Sequence, residues 1–402
     1  FNAKAAKWAM EAYIEAKRAP AWKSVDIIDD YTIKLNLNYW QNITINTLNA
    51  CIFISPTAYE KNTLDWVRWN PVGTGPFKFE SFQRDVSLNY VRFDDYWQEG
   101  RPYLDGLSYI YFSDASAMTA AFESGEGQAL RMATMVQCNT LVNNKGYDSV
   151  CGARGGIGGG LNSIWFDSIH PDSPLSNAKV RMAIEYAIDK EAIASARGYG
   201  WWYAAYQPAV YGSNAWDSSL PQRNYDPEKA KQLMVEAGYP DGFKTTLYAQ
   251  PSFLDQESMV AIQGNLKDIG IDVTLQYPDA GQFNNYQLQG WTGMLYAQVG
   301  GLGNNARGMQ YCLGKEAYMM TNNVAIPAGY QEALDGALIG VTVDIDKLKE
   351  VNKILYEDVT ILPIFERYEP LILKPGVVHD SGFFARSNVL DFDTNKVWLS
   401  EK

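Results

Sequence analysis

Histidine and cysteine are scarce: two of the first, His170 and His379, and four of the second in 402 residues. The cysteines, at 51, 138, 151 and 312, form no Cys-x-x-Cys pair, and the histidines lie far away in sequence. That excludes the usual zinc patterns, and no metal or other cofactor is expected. Ser/His/Asp and Cys/His nucleophile arrangements have no local signature either. Basic charge is also short. Against 46 Asp and Glu there are 34 Lys and Arg, a net charge of -12, which argues against nucleic acid or an anionic membrane as partner. No apolar run approaches the roughly 18 residues of a membrane span. Internal repeats and low-complexity segments are missing, and Phe1-Asn2-Ala3-Lys4 opens straight into a helix with no leader pattern.

What remains is an ordinary folded composition, 47% hydrophobic and 20% charged, on a chain too long for one core, so two or three domains are expected. Residues 3–18 read as a helix with Trp8, Tyr13 and Ile14 on its packed side. Strands near 23–28 and 31–36 follow, joined at Asp29-Asp30, and residues 41–54 read as mostly extended. Ser55-Pro56 supplies the cap and first residue of a short helix. From about 169 to 372, helices (177–195, 227–237, 255–268, 330–337, 345–358) alternate with strands (244–249, 271–276, 361–365), the pattern of an α/β lobe. Cys138 and Cys151 flank a polar stretch. They fit either a disulfide closing a small loop, which would contribute about 3 kcal/mol, or two buried thiols. Cys51, within Cys51-Ile52-Phe53-Ile54, reads as a buried thiol.

The glycine-rich run from Gly152 to Gly160 invites a phosphate-cradling reading, but no Gly-Lys-Ser/Thr follows and Leu161 stands in the last glycine place of a dinucleotide fingerprint. It reads instead as a flexible approach to the strand Leu161-Asn162-Ser163-Ile164-Trp165-Phe166, where a ligand can come close to the backbone, with Trp165 as a contact. Carboxylate neighbours such as Asp94 and Asp95, or Glu366 and Glu369, are what a glycosidase requires. In a chain this acidic they read as solvated surface groups, so no enzyme is expected, and a secreted carbohydrate-active hydrolase is the alternative. The aromatic clusters say more. Trp201-Trp202-Tyr203, with Tyr206, Tyr211 and Trp216 beyond, are too irregular for an amphipathic helix and suit the apolar faces of sugar rings or peptide side chains. Trp201 and Trp202 are adjacent, so in an extended segment one ring faces out and the other packs inward. Gln282, Gln287, Trp291, Tyr296, Gln298 and Asn304 add a second polar and aromatic set.

Asn70-Pro71-Val72-Gly73-Thr74-Gly75-Pro76 cannot continue a helix and delivers the chain into a hairpin, where Phe77, Phe79, Leu88 and Tyr90 alternate with polar residues. Together with Tyr96-Trp97 and Gly100-Arg101-Pro102-Tyr103-Leu104-Asp105, this segment resembles the family 5 extracellular solute-binding proteins, the peptide, nickel and oligosaccharide receptors of ABC importers. Further likenesses follow in the family's order: Ser124-Gly125-Glu126 ending a helix, the run from Pro174-Leu175-Ser176-Asn177 to Asp189-Lys190-Glu191, and Tyr225-Asp226-Pro227-Glu228 with Glu236-Ala237-Gly238-Tyr239. They cover nearly the full chain.

The resemblance implies an α/β, two-lobed periplasmic-binding-protein fold of class II type, with the extra small domain of the large peptide-binding members. It divides the chain into 1–69, a remnant of that small domain; 70–168 plus 373–402, a first lobe; and 169–372, a second. It implies a monomer outside the cytoplasm, periplasmic or lipid-anchored, that holds an oligosaccharide or oligopeptide between its lobes and delivers it to membrane permease subunits. On the order of a hundred residues, a small domain's worth, would precede Phe1. In peptide-binding members a Trp/Gly-x-x-Asp fixes the peptide's amino terminus. Here the segment is Leu295-Tyr296-Ala297-Gln298-Val299-Gly300-Gly301, without the aspartate. A buried ammonium lacking a counter-charge costs several kcal/mol, so a neutral, polyhydroxylated ligand is the residues' preference unless Asp279 or Glu366 takes that role.

Overall fold

The computed structural model describes all residues except 50, 132, 151–153, 155–158, 251–254, 300–305, 316, 318, 380–383, 387–388, 392 and 401–402. They fall into two compact units, Phe1–Val150 with Pro370–Ala385 and Leu390–Lys402, and Cys151–Glu369 with Arg386–Val389. Among the described residues no helix is long and apolar enough to cross a membrane.

In the first unit the helix Ala3–Glu15 starts where the Asn2 side chain accepts from the Ala5 N–H. It packs on the antiparallel pair Trp22–Ile27 and Ile33–Leu37, and Met10, Trp22, Val25 and Cys51 make a small core of their own. Residues 41–54 depart from the expected extended run, because Thr44–Asn49 is helical. Ile43 and Thr44 are buried and Leu48 packs on that core, so the inward positions recur at about one helical turn. The short helix Pro56–Lys61 begins as expected, with Ser55 Oγ accepting from Ala58 N. Beyond the glycine-proline turn, Phe77–Gln83, Ser87–Arg92 and Gly106–Ile110 form an antiparallel sheet. The helix Ala115–Ser124 then stops at Gly125, whose φ of +103° is left-handed and favours glycine.

A six-stranded mixed sheet organises the second unit, in the order Ile271–Gln276, Phe243–Ala249, Met294–Val299, Gly159–Phe166, Ile361–Tyr368, Trp202–Ala204. The first three run parallel to one another and the rest pair antiparallel. Every residue of Ile361–Tyr368 is buried, as in a strand covered on both faces. The sequence division ended the first lobe at 168 and the second at 372. The two contact units divide at Val150/Cys151 and Glu369/Pro370, and Gly159–Phe166 lies in the middle of the second unit's sheet. The single helix expected over 177–195 is two, Ala178–Ala187 and Lys190–Gly198. Ile188 turns to extended geometry, and Asp189 restarts the chain by accepting from Ala192 N at 3.0 Å. The Cys138–Cys151 pairing lies outside the described residues because Cys151 does; Cys138 is buried, its Sγ 3.7 Å from Ala133 O.

Candidate functional site

Polar and charged side chains converge at one end of the six-stranded sheet. There Asn162 stands opposite Gln298 on one side and Phe365 on the other, while Arg367 is paired with Gly160 and Trp202. Residues directly opposite share a face and alternate ones along a strand do too, so Tyr296, Gln298, Asn162, Phe365, Arg367 and Trp202 line one surface. Trp202 stacks on Phe365 with centroids 5.7 Å apart, and the Arg367 guanidinium lies 4.4 Å over the Trp202 ring. Gly198 makes room for this tryptophan: a Cβ there would stand 2.4 Å from Trp202 Cβ. Arg367 Nη2 donates to Glu369 Oε1 at 3.1 Å. Burial pushes the Tyr296 hydroxyl up to about 12, and Arg367, hydrogen-bonded to it, opposes that rise.

On this surface Asn162 is fully buried, yet its Oδ1 and Nδ2 have no hydrogen-bond partner among the described residues, and neither does Gln298 Oε1. Buried polar groups are almost always paired, and each orphan costs about 1–3 kcal/mol. Among the described residues, these three atoms on facing residues are open to partners from solvent or a bound solute.

The opposite surface of the same strand end carries a second constellation. Glu366, paired across the sheet with Tyr203, has a side chain only 3% exposed. Its Oε1 accepts from Tyr211 N at 2.9 Å, and its Oε2 lies 3.7 Å from Arg154 Nε. Burial raises the Glu366 carboxyl above its ordinary value, against the Tyr211 N–H and the Arg154 charge, which lower it. The expectation that Glu366 is a solvated surface carboxylate is therefore corrected. An eight-residue strand buried on both faces takes its only acidic side chain inside, where a backbone N–H and an arginine hold it.

Of the residues expected at the site, Trp202, Tyr203, Tyr296 and Gln298 meet at this end of the sheet. Trp201 is half-buried beside them, its carbonyl accepting from Tyr368 N. Trp165 is fully buried in the central strand. Trp291 is packed away from this cluster, its Nε1 donating to Gly293 O and its backbone N–H to Asn323 Oδ1. Gln282 and Gln287 sit on the helix Ala280–Gln289; Gln282 is exposed, and the Gln287 carbonyl accepts from Met320 N. Asp279 caps that helix by accepting from Gln282 N, which accounts for it locally. Asn304 lies outside the described residues. Asn162, Arg154 and Arg367 were not anticipated. A usable signal existed for two of them: an asparagine within the largely apolar strand from Leu161 to Phe166, and an arginine in the apolar run from Ile361 to Tyr368.

Residues 1–317 match the description of bacterial extracellular solute-binding proteins, family 5 Middle. The chain is 31% identical over 276 residues to the glutathione-binding protein GsiB of Salmonella paratyphi A, a match covering 66% of this chain and 52% of that protein. It thus spans about half the length of the curated relatives it matches. The periplasmic binding protein DppA from Helicobacter pylori, solved in complex with the peptide STSA, shares the fold with a TM-score of 0.82 at 23% identity, over 97% of this chain and 76% of that one. The Bacillus subtilis oligopeptide-binding protein AppA, in complex with a nonapeptide, gives 0.82 at 19% identity, over 100% of this chain and 84% of the other. A family match over most of the chain and a fold shared along nearly all of it lead to one conclusion: this chain belongs to the bacterial extracellular solute-binding proteins of family 5, a family of non-catalytic binding proteins.

Proposed function

We propose that this chain is the solute-binding component of an ABC importer, working outside the cytoplasm, and that its cargo is a short peptide or peptide-like solute passed to a membrane permease. The observation that carries the cargo is the facing pair Asn162 and Gln298, where both amide atoms of Asn162 and Oε1 of Gln298 are buried without partners among the described residues. A side-chain amide offers one acceptor and two donors, the complement of a peptide group's N–H and C=O. The neighbouring rings Trp202 and Phe365 supply apolar surface. The relatives support the same reading, since GsiB is named for binding glutathione, and DppA and AppA hold peptides in their structures.

The absent aspartate favoured a neutral sugar as long as the site held no charge. On the amide-bearing face itself Arg367, ion-paired with Glu369, changes that balance, because fixed charge suits a solute carrying charge of its own. Thermal-shift screening against di- to pentapeptides and di- to pentasaccharides tests the reading. A micromolar binder at millimolar concentration stabilises by about 4 kcal/mol, so a true ligand is conspicuous. Shifts with peptides are expected; shifts with sugars alone would replace peptide by oligosaccharide. Recovery of the ligand intact separates a receptor from the alternative hydrolase.

A further inference from the structure

The second unit also holds a cleft of about 520 Å³ at the other end of its six-stranded sheet, within the roughly 300–1,000 Å³ of small-molecule sites. Asp167, in the cleft, directly follows the strand Gly159–Phe166, whereas Asn162 lies near that strand's start. About 16 Å of extended chain therefore separates the cleft from the amide pair. Thr292 and Gly293 enter it just before Met294–Val299, and Thr245 and Thr274 belong to the neighbouring parallel strands. Gly293 permits this close approach: its φ is +94°, and a Cβ there would stand 2.6 Å from Thr246 O and 2.7 Å from Thr245 Oγ1.

Within the cleft the Asp167 carboxylate, its side chain 6% exposed, is hydrogen-bonded to His170 at Nδ1. A carboxylate only accepts, so Nδ1 carries the proton and Nε2 of the neutral ring is left as an acceptor. The hydroxyls of Thr245, Thr274 and Thr292 have no hydrogen-bond partner among the described residues, and a hydroxyl both donates and accepts. Pro174 and the buried Leu175 add apolar surface. Neither sign of charge dominates: Asp167 and Asp172 stand against Lys244 and the His170 ring, and Lys244 has Asp272 4.0 Å away. An anion finds no spare cation here, and a cation finds the Asp167 carboxylate already engaged. Among the described residues no group of three His, Cys, Asp or Glu could hold a metal ion.

We infer that this cleft is an accessory site for a neutral, polyhydroxylated solute of polyol or small-sugar size, separate from the amide face and independent of the peptide reading. Hydroxyls of the solute donate to His170 Nε2 and exchange hydrogen bonds with the three threonines, while its C–H groups lie against Pro174 and Leu175.

Saturation-transfer NMR on the full chain, with glycerol, D-glucose and maltose titrated at millimolar concentration, tests the site. Transfer to the sugars is expected. Thr274→Val combined with Thr292→Val keeps side-chain shape and removes two hydroxyls from exposed positions, so the variant should fold as the wild type does. Its apparent affinity for the sugars should fall about tenfold, the loss expected for two hydrogen bonds, while peptide-induced melting shifts stay unchanged. Asn162→Leu should leave transfer to the sugars intact, and excess inorganic phosphate should not displace them. No transfer to any probe, transfer unchanged in the double threonine variant, or displacement by phosphate would overturn the site. Loss of transfer in Asn162→Leu would also overturn it, by moving the sugar to the amide face, and would count against the peptide reading. Transfer lost only in the threonine variant, with no peptide shifting the melt, would remove the peptide reading and leave this site standing.

Discussion

The second unit contains two pairs of amide side chains, each with a fully buried asparagine, that differ in how their polar atoms are used. In the first, Gln207 and Asn352, every polar atom is used. Asn352 Nδ2 donates to Gln207 Oε1 at 2.6 Å, Asn352 Oδ1 accepts from Ala209 N at 3.0 Å, and Gln207 exchanges hydrogen bonds with both the N–H and the carbonyl of Asp217. In the second, Asn162 and Gln298, three atoms have no partner among the described residues. Composition is the same, one asparagine and one glutamine, and the two asparagines are equally buried, so neither explains the contrast. A saturated pair is scaffold, pinning the loop 205–217 to the helix Ile345–Asp358. An unsaturated pair carries a standing cost that a bound solute or water relieves. The same division holds for charge. Glu185 is saturated by Arg223 at 2.6 Å and Lys190 at 3.4 Å, with Lys190 also donating to Ala205 O, whereas the Arg154 side chain stays 36% exposed, 3.7 Å from Glu366.

The largest effect should come from breaking the saturated pair. Asn352→Leu strands the Ala209 N–H and removes one donor from Gln207, and at about 1–3 kcal/mol for each buried group we expect a loss of roughly 2–6 kcal/mol in urea unfolding. A loss below 1 kcal/mol would mean that water already serves this pair. Asn162→Leu should act in the opposite direction, since it removes two orphaned groups at similar volume. A gain of about 1–3 kcal/mol together with loss of peptide binding is expected, and destabilisation would show that Asn162 has a partner in the free protein. Third, Trp201→Ala should leave stability within about 0.5 kcal/mol while weakening peptide binding by about 1–2 kcal/mol, roughly tenfold. The buried, stacked Trp202 should lose about 3–5 kcal/mol of stability on the same change; similar behaviour of the two would dissolve the distinction between them.

The smallest effect is the pH dependence of Glu366→Gln. Burial raises the folded carboxyl above its ordinary value of 4.5, so the folded chain binds this proton more tightly than the unfolded chain. The carboxyl's contribution to stability therefore falls as pH rises from 4.5 through the folded value. A glutamine does not titrate. The wild type should lose ground relative to the variant over that window and hold a constant difference above it, as melts from acid to neutral pH would show. A wild type that gains relative to the variant on the same rise would mean that Arg154 outweighs burial.

Local signals carried much of this architecture. The Asn70–Pro76 turn, the cap at Ser55, the glycine stop at Gly125 and the alternation of helices and strands beyond 169 depend on neighbours a few residues apart, and sequence states those directly. Family membership was legible for the same reason, because its motifs are contiguous. Other features depended on what lay across the fold. Thr44–Asn49 became helical through contact with a distant core, and Trp291 found partners in Asn323 and Gly293. Above all, the saturation of a polar group is a property of its surroundings rather than of its type. Nothing in the residues Asn162 and Asn352 distinguishes the amide left open from the amide that is closed; the register of Gly159–Phe166 against Met294–Val299, set by long-range strand pairing, put Asn162 opposite Gln298.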